Sequence, residues 1–384
     1  MDGDSLQNAT HLQARLGAGD LAVETADLRA LRVDAEGRWR SFRPAGPLRR
    51  RTLDGNIVVS EAGVRRALDP DEIAATHTAV AAFAADLAGG IERDAFDLEL
   101  RGPDADRAEL VARLDAAAQW TPDRFRQDAE RFTAAYPEPV LILPPDRYQD
   151  LVVLPALGCP HGRCKFCAFY RERGFHILGR AEFEAHLEAV CRFFGRAGRT
   201  RDGIFLGSAS ALSLPDARLL AVLEAVRRTF GVPRRGVAAF HDPDHSPVRS
   251  GADYAALREA GLTAVTLGLE TGSPALRKQL GKRPDLDRVL AALAGAKEAG
   301  LRCGITILVG AGGPQAAAAH RTATAEVLHR MPLEPGDLVY LSPYTAAMSR
   351  ADTDREFARL RAALAPATRA RIVPYRIERF AYFA

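Results

Sequence analysis

No uninterrupted apolar stretch in the 384 residues approaches the roughly 18 needed to cross a bilayer. The opening residues, Met1-Asp-Gly-Asp-Ser-Leu6, lack the basic start and apolar run of a secretory signal, so a cytoplasmic protein is expected. An excess of one charge is also missing. Fifty-two Lys and Arg against 49 Asp and Glu leave a formal +3, too little for net charge alone to draw the chain to nucleic acid or a membrane. Fixed-period repeats and low-complexity tracts are absent too, which excludes a solenoid. Cysteine is scarce, five residues in all, and three of them fall between 159 and 167. So small, odd and clustered a set argues against a disulfide framework and for metal chemistry.

What is present is a chain with 47% hydrophobic residues, enough to bury a large core. Residues 1–140 show helical apolar spacing at Ala62–Ala88 and Ala108–Trp120 between Gly/Pro-rich and Asp-rich breaks, and read as a helical or mixed extension. Within it Arg38, Trp39, Arg40, Arg43, Arg49, Arg50 and Arg51 form a basic stretch, read as a solvated loop or as a contact for phosphates or an acidic partner. From Pro144 short β-branched runs alternate with amphipathic helices. Strands are expected at 151–154, 203–206, 236–240, 264–269, 303–309 and 338–341, and helices near 180–194, 215–230, 253–260, 274–280, 285–299 and 320–329. Six such β/α units imply an α/β fold, a partial or full TIM-like barrel over 141–345 with its chemistry at the C-terminal ends of the strands. Residues 346–384 read as a helix and a strand-like tail, Ile372–Phe383, packing on that core.

The cysteines follow the first of these strands, in Gly158-Cys159-Pro-His-Gly-Arg-Cys164-Lys-Phe-Cys167-Ala-Phe-Tyr170. Three thiolates can hold a four-iron cubane and leave one iron without a protein ligand, open to an exogenous chelator. The alternative is a zinc site completed by His161 or His176. Zinc ligands usually come as two pairs with a long spacer, whereas three tightly spaced thiols suit a cluster. Cys191 and Cys303 sit at apolar positions and read as buried packing residues. His241, Asp242, Asp244 and His245 form the densest polar group near the expected barrel mouth, either to bind substrate and donate a proton or simply to make a turn.

The loop resembles that of the radical SAM superfamily, in a branch near the elongator-subunit, methylthiotransferase and coproporphyrinogen-oxidase-like group. The usual superfamily spacing puts three residues between the first two cysteines, and this chain has four, Pro160 to Arg163, as that branch does. Three further elements carry the likeness. Ile204-Phe-Leu-Gly207-Ser-Ala-Ser210 stands at the superfamily's Gly-Gly-Glu-like element. Gly268-Leu-Glu270-Thr-Gly-Ser273 resembles its Gly-Leu-Glu-Ser/Thr-Gly-Ser, and Gly304-Ile-Thr-Ile-Leu-Val309-Gly-Ala-Gly-Gly313 resembles its fifth-strand element. The likeness runs from Pro144 to about Tyr344, with an echo at Tyr375–Phe380.

The resemblance implies an enzyme, oxidoreductase or transferase, with one [4Fe–4S] cluster on Cys159, Cys164 and Cys167 and with S-adenosylmethionine, cleaved to a 5′-deoxyadenosyl radical. It implies cofactor contacts from Phe166, Gly207, Ser208, Ser210, Glu270 and Val309. Ser208 and Ser210 replace an acid often found there, and Glu270 could instead cap the helix starting near Pro274. Arg277, Lys278, Lys282 and Arg283 could face a carboxylate. The expected partners are a small-molecule substrate and an electron donor such as flavodoxin or ferredoxin, with nucleic acid as a second possibility. RNA modification and a non-catalytic zinc or iron–sulfur module are the competing functions.

Overall fold

The computed structural model describes residues 11–61, 64–103, 105–171, 173–344, 349–377 and 380–384. It divides into two compact units. The first comprises 1–137, 189–201 and 381–384; the second comprises 138–188 and 202–380.

The first unit is mixed rather than helical. Seven antiparallel strands, β1 (His11–Leu16), β2 (Asp20–Thr25), β3 (Ala30–Asp34), β4 (Trp39–Arg43), β5 (Leu48–Arg51), β6 (Ile57–Glu61) and β7 (Val64–Ala67), pair in chain order. After α1 (Pro70–Glu92), the strand β8 (Asp97–Arg101) pairs parallel to β1 at the other edge, and α2 (Arg107–Ala118) and α3 (Pro122–Ala135) follow. Alternation in β1 buries Leu12, Ala14 and Leu16, and these join Leu21, Val23, Leu31 and Val33 of the next strands in one core. The helices supply Val80, Phe83, Ala84, Leu87 and Ile91 at helical spacing. Of the helical spacing read over Ala62–Ala88, residues 62 and 63 lie outside the described residues, and the helix begins at Pro70. Asp69 and Glu72 form a capping box there, Pro70 occupies the first turn, and Val64–Ala67 is strand.

The basic stretch is not a solvated loop. It spans β4 and β5, and both Arg38 and Arg51 are buried. Arg38 donates to Asp34 Oδ2 at 2.8 Å, to Asp128 Oδ1 at 3.4 Å and to the Phe193 carbonyl at 2.9 Å. Arg51 lies 3.7 Å from Asp128 Oδ2. Burial pulls its guanidinium down to about 10, with Asp128 opposing the shift. Contacts of this kind join 189–201 and 381–384 to the first unit: Arg201 donates to the Phe383 carbonyl and Arg50 lies over the Phe383 ring.

The second unit is a parallel sheet of seven strands whose spatial order is their chain order: β9 (Leu151–Val153), β12 (Ile204–Leu206), β13 (Val237–His241), β14 (Leu262–Glu270), β15 (Arg302–Val309), β16 (Leu338–Pro343) and β17 (Arg371–Pro374). A short hairpin, β10 (Ala156–Leu157) with β11 (His176–Ile177), follows β9. The helices α4 (Arg180–Phe194), α5 (Asp216–Phe230), α6 (Gly251–Glu259), α7 (Pro274–Gln279), α8 (Asp287–Glu298), α9 (Gly313–His329) and α10 (Arg350–Leu364) fill the connections. Parallel strands in sequential order wind in one sense and build a barrel wall, here a partial one with β9 and β17 at its edges. The seventh strand comes from the tail that the sequence suggests as Ile372–Phe383. Part of the echo at Tyr375–Phe380, residues 378 and 379, lies outside the described residues.

At the N-terminal ends of the strands Asp150 is buried beside Arg147 at 3.1 Å, and Asp146 accepts from Tyr340 at 2.6 Å and Arg235 at 3.2 Å. That end is closed by ion pairs, which leaves the opposite end for chemistry. Cys303 is buried as expected, whereas Cys191 on α4 is exposed. No helix among the described residues is long and apolar enough to cross a membrane.

Asp128 is the acid that Arg38 and Arg51 share, so Asp128→Ala leaves buried guanidinium charge short of a partner. A loss of roughly 3–5 kcal/mol is expected in chemical denaturation. A loss below about 1 kcal/mol would show that the neighbouring carbonyls and Asp34 suffice.

Candidate active site at the strand C-termini

The cysteine loop, residues 158–175, is closed at its base by the β10–β11 hairpin. Gly158 anchors it. Its N–H donates to Glu138 Oε2 at 2.9 Å, and its carbonyl accepts the Ser208 hydroxyl at 2.7 Å. With φ at +69° and an added Cβ only 2.3 Å from the Gly174 carbonyl oxygen, the position admits only glycine. On its far side the loop is tied to the segment after α7: Lys165 N–H donates to the Leu280 carbonyl at 3.0 Å, and the His161 ring bonds the Gly281 carbonyl at 2.9 Å.

Cys159, Cys164 and Cys167 all line one cavity of about 200 Å³ at the C-terminal ends of the strands. Phe166, Tyr170, Ser210, His241, Asp242 and Glu270 share its wall, together with Lys282, Thr306, Ser342 and Tyr375. Burial pushes the Cys164 thiol up to about 12 and raises that of Cys167, so water alone does not favour the thiolates. Donors that favour them are close. The Gly162 N–H reaches Cys159 Sγ at 3.3 Å, backbone N–H groups of Phe169 and Tyr170 face Cys167, and the Lys282 ammonium acts on Cys164. Three soft ligands on one loop, two of them with N–H donors at sulfur, fit a thiolate-bound iron–sulfur group. Among the described residues no three His, Cys, Asp or Glu side chains are grouped as ligands of a single metal ion.

Glu270 ends β14 at a register shift against β15, with φ at +66°. Ser208, after β12, has φ at +74°. Non-glycine residues rarely hold this conformation, and two do so at the rim of one site. Glu270 does not cap α7; the Ser273 hydroxyl does, accepting from Leu276 N–H. Its carboxylate accepts from Thr306 Oγ1 at 3.2 Å, and burial pushes it up to about 7 against the pull of Lys282 and Arg277.

The polar residues after β13 form a network. Asp242 Oδ1 accepts from Lys282 Nζ at 2.9 Å and Oδ2 accepts from His245 Nδ1 at 2.9 Å. Although burial opposes its charge, Lys282 and His245 hold the Asp242 carboxyl well below the usual range. His245 stacks on His161 of the cysteine loop, their ring centroids 3.8 Å apart. Arg277 and Asp244 form a fully buried pair at 2.7 Å, and Arg277 also donates to the Leu269 carbonyl at 2.6 Å. Burial and Arg249 together pull His241 down to about 3, which keeps its imidazole neutral. Turn geometry is also present, since the Ser246 hydroxyl donates to the Asp242 carbonyl at 2.7 Å.

Not every expected residue reaches the cavity. An added Cβ on Gly207 would meet Leu154 and Val152 at 2.6 and 2.8 Å, so its lack of a side chain serves strand packing. Ser208 braces Gly158, and Val309 sits in β15 with its carbonyl accepting from Tyr344 N–H at 2.9 Å. Lys278 and Arg283 are exposed, while Arg277 and Lys282 are buried. The sequence reading missed Thr306, Ser342 and Tyr375. Thr306 lies within β15 and Tyr375 just beyond β17, both inside elements that carry the family likeness, whereas Ser342, near the end of β16, has only its position as a signal.

Because the folded carboxyl at 270 titrates near 7 rather than the ordinary 4.5, the native state binds that proton more tightly than the unfolded chain does. Stability of the metal-free protein is therefore expected to fall as pH rises from about 4.5 to about 7 and to level off above. Glu270→Gln should remove that slope, a difference on the order of 3 kcal/mol by pH 8 in urea denaturation. Parallel pH profiles for the two proteins would place the titration elsewhere.

Residues 153–316 match the family model of the Radical SAM superfamily. No curated protein matches the sequence. Among solved structures, the cobalamin-dependent S-adenosylmethionine radical enzyme OxsB with aqua-cobalamin bound aligns at 18% identity over 47% of this chain and 26% of its own, with a TM-score of 0.38. Coproporphyrinogen III oxidase (HemN) from Escherichia coli, a radical SAM enzyme, aligns at 16% over 65% of this chain and 56% of its own, with a TM-score of 0.43. The radical S-adenosylmethionine methyltransferase TsrM from Kitasatospora setae aligns at 16% over 51% and 35%, with a TM-score of 0.38. This chain thus spans under a third of the OxsB chain it matches. Over residues 153–316, from the first barrel strand through all three clustered cysteines to the start of α9, the chain carries a radical SAM domain.

Proposed function

We propose that this protein is a radical SAM enzyme in which Cys159, Cys164 and Cys167 hold a [4Fe–4S] cluster and S-adenosylmethionine binds beside it, acting on a small organic substrate. The observation that carries this reading is that three loop thiols share one cavity with Glu270 and Ser210, at the end of the barrel where parallel strands deliver chemistry. When bound, the cluster and S-adenosylmethionine together supply a 5′-deoxyadenosyl radical by one-electron cleavage of the sulfonium.

The protein's own part is placement and exclusion of water. Gly158 and its two hydrogen bonds set the height of the loop over the strands. Phe166, packed with Leu276, Leu280 and Leu308, offers an apolar wall for an aromatic base. Glu270, near neutrality in its titration, can accept from an ammonium or hydroxyl of the cofactor. Asp242 and Lys282 neutralise each other inside the wall, so that the pair presents little net charge to a ligand. The aromatic lining, Phe166, Phe169, Tyr170, Phe240 and Tyr344, limits water around a reactive species. A flavodoxin or ferredoxin is the electron donor expected for such chemistry.

Anaerobic reconstitution should give brown protein with a full [4Fe–4S] complement, and replacing any one of the three cysteines by Ala should abolish it. Reduced protein given S-adenosylmethionine should release 5′-deoxyadenosine. Colourless protein holding zinc without sulfide would replace this reading with that of a metal-binding module.

A further inference from the structure

Leaving Asp150 aside, nine buried side-chain nitrogen or oxygen atoms among the described residues have no hydrogen-bond partner. Six belong to charged groups that are engaged in hydrogen bonds or ion pairs: Arg51, Arg113, Asp128, Glu138, Arg147 and Arg201. The other three are His241 Nε2, Ser342 Oγ and Tyr375 OH, and all three residues line the cavity that holds the cysteines. For Ser342 and Tyr375 the unpartnered atom is the only polar atom of the side chain. A buried polar group without a partner costs stability, and native folds keep very few. Three gathered on one cavity wall point to a ligand.

Their chemistry describes that ligand. Tyr254 OH lies 3.3 Å from His241 Nδ1. If the phenol donates, its proton is satisfied and the neutral ring carries its own proton on Nε2. Nε2–H, the Ser342 hydroxyl and the Tyr375 phenol are then three neutral donors. They come from β13, from β16 and from just beyond β17, so they approach the cavity from separated parts of the wall. The charged groups nearby are already matched, Asp242 with Lys282 and Asp244 with Arg277.

We propose that His241, Ser342 and Tyr375 form a substrate subsite for an uncharged molecule bearing hydrogen-bond acceptors such as carbonyl oxygens or ring nitrogens. This rests on the cavity being the active site described above.

His241→Phe, Ser342→Ala and Tyr375→Phe remove the unpartnered atoms and keep most of the volume, and His241→Phe also strips Tyr254 OH of its partner. Ser342→Ala and Tyr375→Phe should each raise the Tm of the ligand-free protein, by about 2 °C; an unchanged or lowered Tm in both means the atoms are satisfied by the fold and overturns the proposal. Wild-type crystals soaked in N,N-dimethylacetamide, an uncharged acceptor, should show its oxygen within hydrogen-bond distance of at least one of the three donors, and the probe should be lost from that position in the matching variant. Probe bound only elsewhere overturns the subsite. Reconstituted variants should bind S-adenosylmethionine within about twofold of wild type, whereas a tenfold loss assigns the donors to the cofactor and overturns the substrate role. Wild-type protein that assembles no cluster while the Tm and soaking results hold would sink the radical reading alone, leaving a binding pocket of the stated chemistry.

Discussion

The backbone at Gly158 holds the cysteine loop between two fixed points. One hydrogen bond runs from its N–H to Glu138 and another comes to its carbonyl from Ser208, which keeps an unfavourable φ in making it. The loop on one side and the end of β12 on the other are therefore set by a single residue. The ties at Lys165 and His161 to the segment after α7 complete the span, so the three thiols face a cavity whose floor is built by β13 to β16. Without a residue that tolerates a left-handed backbone there, the loop would collide with Gly174 before reaching the strands.

Electrostatics inside the wall follow the same logic of local closure. Lys282 and Arg277 come from one short stretch after β14, Asp242 and Asp244 from one turn after β13, and the four form two buried pairs. Glu270 is left at the edge of that group, its carboxylate accepting among the described residues from Thr306, and burial dominates its titration. The same wall presents neutral side chains whose polar atoms are unspent, so charge compensation and ligand recognition fall to different residues.

Much of the second unit was legible in the sequence because β9 and β12 to β16 are apolar runs largely buried on both faces and bounded by turns, with amphipathic helices between them. Strand ends moved by at most two residues, as at β14 and β16, but the order did not. The first unit was less legible. Its strands alternate apolar and charged residues over only four to six positions, and the arginines of β4 and β5 look like a solvated run until Asp34 and Asp128 are seen to bury Arg38 and Arg51. Asp128 lies on α3, far along the chain, and no local pattern announces it. The site divides in the same way. Three cysteines on one loop are a local signal, whereas Thr306, Ser342 and Tyr375 meet the loop only because β15, β16 and β17 stand side by side.

The irregularity in β14 at Gly268–Glu270 bears on how this chain could vary. Side chains along a strand alternate between faces, so Thr266, Gly268 and Glu270 all line the cavity while Leu269 stays buried away from it, and the register shift against β15 falls within this run. Losing or gaining one residue at this step would turn a leucine inward and send the acid into the packed layer behind. Insertions and deletions that the outer loops of the barrel could absorb are thus closed to these three positions.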